Sequence, residues 1–82
     1  MVVDVRKPEE LFGPLGRIAG AINIPIRELE GRIDELVPFK DCEIAVICQA
    51  GVRSRQGTAL LCRFGFNAVN VAGGMEVFNR EQ

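Results

Sequence analysis

The sequence contains no histidine, no tryptophan and no tyrosine among its 82 residues. Without histidine there is no imidazole to act as a general base or to bind a metal, which excludes the common Cys–His zinc sites. The three cysteines include no C-x-x-C pair, so we expect neither a metal nor another cofactor. Any chemistry must therefore come from thiols, carboxylates, hydroxyls and guanidinium groups.

Long apolar runs and blocks of one charge are also missing. The net charge is −1, with basic and acidic residues interspersed, which does not suit a nucleic-acid-binding protein. The longest apolar run, residues 44–48, is far shorter than the ~18 residues that a membrane span needs. The start, MVVDVRKPEE, is charged from its fourth residue and does not resemble a secretory signal. We expect a cytoplasmic protein with reduced thiols that binds neither nucleic acid nor membrane.

Short apolar runs alternate with helical patterns along the chain. Strands are predicted at residues 2–5, 21–24, 44–48 and 68–71, and helices at residues 8–12, 26–37, 53–64 and 75–78. This alternation predicts an α/β fold of three layers, with a mostly parallel sheet of four to five strands and helices on both faces. The length fits a single domain over residues 1–82.

An apolar run that ends at Cys48 leads into a short loop and a helical pattern, in the stretch VICQAGVRSRQGTALL (residues 46–61). In open parallel sheets, ligands bind at the carboxyl ends of the strands, where this cysteine is expected to lie. Gly51 allows a positive φ, so that backbone N–H groups can converge on one point. The start of the helix and the guanidinium of Arg53 add positive potential there. This environment favours a thiolate on Cys48 without a general base.

Other polar residues and thiols have simpler interpretations. Cys48 itself has the alternative of being an ordinary buried cysteine, because free cysteine is among the most buried residue types. Cys42 and Cys62 are expected to be structural or incidental. Asp4 and Arg6 are expected to form a salt bridge or a cap that shapes the floor of the site.

Four stretches of the sequence resemble a single-domain rhodanese, a sulfurtransferase: CQAGVRS, VVDVRKPEE, GRIAGAINIP and FGFNAVNVAGG. The resemblance implies that Cys48 is the catalytic nucleophile. It would take a sulfane sulfur from a small-molecule donor, thiosulfate or a persulfide, and pass it from a persulfide to a thiol, a protein or cyanide. Substrate binding is then assigned to Gln49, Ala50, Gly51, Val52, Arg53 and Ser54. Arg53 would attract the anionic donor, and the Ser54 hydroxyl would contact the persulfide or cap the helix.

The resemblance has a gap at the start of the chain. The family usually has a strand and a short helix before its D-V-R strand, whereas here that strand begins at Val2. We therefore expect a sheet without the usual first strand. The chain is expected to be either a minimal member of the family or a domain of a larger protein.

Two other functions stay open. Phosphatases of the same fold carry the pattern C-x5-R, which would require an arginine at position 54, where this chain has serine. That spacing makes a phosphatase the weaker alternative. The other alternative is a non-catalytic or sulfur-relay module of a larger protein, for example of a disulfide reductase. The retained cysteine and loop favour the enzyme, and the oligomeric state is left open.

Overall fold

The computed structural model describes residues 1–80 and has a four-stranded sheet at its centre. The strands are β1 (Val2–Asp4), β2 (Ile22–Asn23), β3 (Glu43–Ile47) and β4 (Asn67–Asn70). All strand pairs are parallel, and the order across the sheet is β2-β1-β3-β4. The predicted α/β fold with a mostly parallel sheet is therefore confirmed, with four strands.

Strand β3 lies in the interior of the sheet, between β1 and β4. Its Ile44 and Val46 are fully buried and belong to the main hydrophobic core. Helix α1 (Val52–Arg63) covers this face, and a Cβ atom on Gly57 of that helix would lie 3.3 Å from the Val46 side chain. Ile47 points to the opposite face because side chains alternate along a strand, and it is buried as well. Burial of both faces explains the continuous apolar run in the sequence.

The segment between β2 and β3 is helical, but it is not the α-helix that its apolar spacing predicts. It forms two 3₁₀ helices, Ile26–Glu28 and Glu30–Phe39, and the backbone leaves helical geometry at Arg32. Two residues weaken an α-helix here: Gly31 has a low helix propensity, and Pro38 has no N–H to donate. The apolar face was predicted correctly, because this segment places Leu29 and Leu36 in the core, whereas the helix type was wrong.

Helix α1 ends as the sequence predicts. The N–H groups of Phe66 and Gly65 donate to the carbonyl oxygens of Leu61 and Cys62 at 3.0 and 3.1 Å, which is a Schellman motif. The chain then forms β4 and a second α-helix, α2 (Gly74–Arg80). Within residues 1–80, no helix has both the length and the apolar content to cross a membrane.

Candidate active site

Cys48 is the first residue after β3, so it begins a loop at the carboxyl edge of the sheet and does not end the strand. The strand stops at Ile47, whose carbonyl oxygen accepts from the N–H of Val5, the residue after β1, at 2.9 Å. The Cys48 carbonyl oxygen instead accepts from the Met75 N–H of α2 at 2.8 Å. We call residues 48–54, from this cysteine into the first turn of α1, the cysteine loop.

The sulfur of Cys48 lies inside the turn of the cysteine loop. Two backbone N–H groups donate to Sγ, that of Gly51 at 3.1 Å and that of Ser54 at 3.3 Å. Gly51 has a φ of 96°, which a residue with a side chain rarely adopts, and this conformation bends the chain between the two donors, Gly51 and Ser54. Cys48 is only 1% exposed, so the sulfur sits in a nearly closed pocket of N–H donors.

Burial and hydrogen bonding act in opposite directions on the pKa of Cys48. Burial raises this pKa, because a thiolate loses its water shell. The Ser54 hydroxyl and the N–H groups of Ser54, Gly51 and Ala50 lower it, because they stabilise the anion. The lowering effects prevail, so the pKa of Cys48 lies below the ordinary value of a thiol. The sequence pattern alone suggested a stabilised thiolate, and the geometry agrees with it.

Asn70, at the end of β4, contacts the cysteine loop through Ser54. The Ser54 Oγ lies 3.3 Å from the Cys48 sulfur, and its hydroxyl donates to Asn70 Oδ1 at 2.6 Å. The Asn70 amide also donates to the Gly51 carbonyl oxygen at 3.5 Å. A hydroxyl has one hydrogen, so it has to turn away from Asn70 when it donates to a thiolate. Ser54 does not cap α1, since its hydroxyl is engaged in these contacts.

The guanidinium of Arg53 faces Glu10, in the 3₁₀ helix Pro8–Phe12. Two hydrogen bonds join them, from Nη1 to Oε2 at 2.7 Å and from Nη2 to Oε1 at 2.9 Å. Hydrogen bonds from Arg53 are the main reason that the pKa of Glu10 is lowered to about 2, so this carboxylate is ionised at neutral pH. The arginine that the sequence suggested for attracting a donor is therefore already paired with an acid.

The outer part of the loop is open to solvent. Gln49, Ala50 and Val52 are exposed, and Val52 has 57% of its surface accessible. The Gln49 amide donates to Glu76 of α2 at 3.1 Å. These residues form the rim through which a reactant would approach Cys48. Their predicted role in substrate binding stays a prediction.

A buried ion pair lies at the carboxyl end of β1, where Asp4 pairs in register with Ile47 of β3. Arg6 and Asp4 are each 1% exposed and their closest charged atoms lie 2.8 Å apart, as the sequence led us to expect. Arg6 also donates to the carbonyl oxygen of Gly16 at 2.8 Å and to that of Glu10 at 3.4 Å. These bonds satisfy the buried charge and hold the segment that carries Glu10 against the sheet. Among residues 1–80, no three acidic or thiol side chains lie close enough together to hold a metal ion.

Sequence reasoning missed Glu10 and Asn70. Asn70 could have been predicted, because residues at the carboxyl ends of neighbouring parallel strands lie close together. It pairs in register with Val46 of β3 and therefore lies beside the cysteine loop. Glu10 gave no such signal, since 43 residues separate it from Arg53 and the contact depends on how the first 3₁₀ helix folds over the sheet edge. The remaining thiols, Cys42 and Cys62, are free and exposed, away from the pocket around Cys48.

Comparison with known proteins gives a consistent match. The Rhodanese-like domain family model matches residues 1–81. The chain is 39% identical over 74 residues to the thiosulfate sulfurtransferase PspE of Escherichia coli (strain K12), covering 90% of this chain and 69% of that protein. A crystal structure of a rhodanese-related protein from Thermoplasma volcanium matches with a TM-score of 0.89 and 42% identity, covering 98% of this chain and 76% of the other. An NAD-dependent persulfide reductase from A. fulgidus matches with a TM-score of 0.74 and 39% identity, covering 90% of this chain and 13% of the reductase.

Proposed function

Because the chain belongs to the rhodanese-like domain family, we propose that it is a sulfurtransferase that carries a sulfane sulfur on Cys48 as a persulfide. The observation that carries the proposal is the Cys48 sulfur inside a turn whose N–H groups, from Gly51 and Ser54, point at it. Such donors favour an anionic sulfur, and a low thiol pKa gives a nucleophile without a base. The relatives named as sulfurtransferases support the same chemistry.

The reaction has two steps. In the first, the Cys48 thiolate attacks the outer sulfur of thiosulfate, the S–S bond of the donor breaks, and sulfite leaves with the bonding electrons. Cys48 is then a persulfide, whose terminal sulfur carries the negative charge. In the second step, an acceptor thiolate or cyanide attacks that terminal sulfur, and the Cys48 thiolate leaves. The products are a new persulfide or thiocyanate, and no external oxidant or reductant is consumed.

The cysteine loop supplies the binding groups for both steps. We propose that the backbone N–H groups of residues 49–54 hold the terminal sulfur, and that Gln49, Ala50 and Val52 form the rim that meets donor and acceptor. Ser54 is assigned to the anionic sulfur through its N–H and hydroxyl. Because Cys48 is nearly buried, a small donor or a single protruding sulfur of a protein persulfide fits the opening best.

A sulfur-relay module of a larger protein is the alternative. The match to 13% of a persulfide reductase shows that a segment like this chain occurs within a longer protein. In that case Cys48 would undergo the same sulfur exchange with a partner thiol. A phosphatase is the weaker reading, because the arginine of the loop stands one position short of the C-x5-R spacing and is paired with Glu10.

The test is turnover from thiosulfate to cyanide, measured as thiocyanate formed. The variant Cys48→Ser is expected to lose at least about a thousandfold in turnover, because an alcohol without a base is a poor nucleophile. The matched controls are Cys42→Ser and Cys62→Ser, which remove exposed thiols and are expected to keep wild-type turnover. Turnover that survives in Cys48→Ser, or that disappears in either control, contradicts the assignment.

A further inference from the structure

The charges around the cysteine loop do not suit a strongly anionic donor. Arg53 forms a two-bond ion pair with Glu10, and Arg6 forms a buried ion pair with Asp4. Each pair is neutral, so neither arginine offsets the negative charge of the Cys48 thiolate. Thiosulfate is a dianion at neutral pH and would be repelled by this charge at close range.

We infer that Glu10 is a specificity-determining residue: it occupies Arg53, which weakens the reaction with dianionic donors and favours sulfane-sulfur donors of lower charge. The inference rests on the proposed sulfurtransferase function and adds a preference among donors to it. Organic thiosulfonates and persulfides are donors of this less charged class. The pair is well formed, with both guanidinium nitrogens engaged, and its two side chains keep 30% and 27% of their surface accessible.

The position of Glu10 is fixed independently of Arg53, so it is not a freely moving surface acid. Its Oε2 accepts the Lys7 N–H at 2.8 Å, and its backbone carbonyl accepts from the buried Arg6 at 3.4 Å. One contact besides the ion pair thus holds the carboxylate, and a second holds the backbone of the same residue. An incoming anion has to compete with a carboxylate that is already in place for the same guanidinium.

The variant Glu10→Gln tests the inference, because it removes the charge and keeps an oxygen that can accept the Lys7 N–H. Two donors of equal chemistry and different charge are compared, thiosulfate and methanethiosulfonate. Both transfer one sulfur to Cys48, the first releasing sulfite and the second methanesulfinate. For a carboxylate ~7 Å from the donor, loss of one charge is expected to raise kcat/KM roughly sevenfold for the dianion and roughly threefold for the monoanion at low salt.

The control is Glu9→Gln, the same charge change one residue away. The Glu9 side chain is exposed and forms no hydrogen bond or ion pair within the described part of the chain, so it does not occupy Arg53 and its variant is expected to gain clearly less than Glu10→Gln with thiosulfate. Ionic strength gives a second measurement that needs no variant. In the wild type, kcat/KM for thiosulfate is expected to rise with salt, because salt screens the repulsion. Glu10→Gln is expected to lose most of this salt dependence.

The possible results distinguish failure of the inference from failure of the proposed sulfurtransferase function. Three results would contradict the inference without contradicting the sulfurtransferase function. They are an equal rise of kcat/KM in Glu9→Gln and Glu10→Gln, an unchanged ratio of kcat/KM between the two donors, and a lower kcat/KM of Glu10→Gln with both donors. The last of these results would mean that Glu10 positions Arg53. Should the variant fail to fold, a wild-type kcat/KM that falls with salt overturns the inference by itself. If neither the wild type nor any variant takes sulfur from either donor, both the inference and the proposed sulfurtransferase function are contradicted.

Discussion

At the scale of single residues, the reactivity of Cys48 depends on how strongly its donors outweigh its burial. Burial alone would raise the pKa of this thiol and keep it protonated. The Ser54 hydroxyl and the N–H groups of Ser54, Gly51 and Ala50 together outweigh burial and lower this pKa. The N–H groups of Gly51 and Ser54 lie 3.1 and 3.3 Å from the sulfur, and the Ser54 hydroxyl becomes a donor to it when it turns from Asn70.

Replacing Ser54 by alanine removes the hydroxyl and keeps the backbone N–H. The pKa of Cys48 is expected to rise toward the ordinary thiol value, because the lowering contribution of the hydroxyl is lost while burial remains. The thiolate fraction at neutral pH should fall several-fold, since hydrogen bonds to charged groups are among the stronger ones. A thiolate titration by ultraviolet absorbance measures this, and the lack of tyrosine and tryptophan keeps the background low. Cys42→Ser and Cys62→Ser are included in the titrated protein so that only Cys48 contributes.

The control for this titration is Thr58→Val, which removes another hydroxyl of α1. Its Oγ1 donates to the Ser54 carbonyl oxygen at 2.8 Å and does not contact the sulfur. The titration midpoint of Cys48 should therefore stay at the wild-type pH. An equal rise of the midpoint in both variants would show that the Ser54 hydroxyl has no direct effect on the thiolate.

At the scale of elements, helix α2 holds the cysteine loop in place. Its first N–H groups, from Met75 and Glu76, donate to the carbonyl oxygens of Cys48 and Gln49 at 2.8 and 3.0 Å. These bonds use N–H groups that have no partner inside the helix. Gly74 makes the close approach possible, because it has a φ of 58° and a Cβ there would lie 2.6 Å from the Gln49 carbonyl oxygen.

The variant Gly74→Ala is expected to displace the loop as well as to strain the backbone. It should lower the free energy of unfolding by roughly 1–3 kcal/mol and also reduce sulfur transfer, because the N–H donors move away from the Cys48 sulfur. Thermal unfolding and the turnover assay measure the two effects. Gly20→Ala is the matched control: Gly20 has a φ of 82° and open space around a Cβ, so only stability should fall. Full transfer activity in Gly74→Ala would mean that α2 does not position the loop.

How far the sequence predicted these elements depended on the range of the interactions that form them. The four strands and α1 were predicted to within about two residues, because their apolar patterns and the cap at Gly65 are local signals. The segment after β2 was predicted as an α-helix, since apolar spacing alone does not distinguish three residues per turn from 3.6 when Gly31 and Pro38 interrupt it. For the site, Cys48 and the turn after it were predicted from one contiguous stretch.

At the scale of the whole molecule, the candidate site is assembled from parts that are distant in the chain. The parallel sheet brings the carboxyl ends of β1, β3 and β4 to one edge, where Asp4, Cys48 and Asn70 lie. The Arg6–Asp4 pair then holds the segment that carries Glu10 over that edge. Pairings of this kind depend on the packed fold. The sequence therefore predicted Cys48 but not the pairing of Glu10 with Arg53.

The measurement that tests the central claim most directly is the intact mass of the protein after incubation with thiosulfate, for the wild type and for Cys48→Ser. We predict that the wild type gains the mass of one sulfur atom and that a reducing thiol removes it. Cys48→Ser should gain nothing, although Cys42 and Cys62 are more exposed. A folded wild type without the added sulfur, or an equal gain in Cys48→Ser, would contradict a persulfide on Cys48.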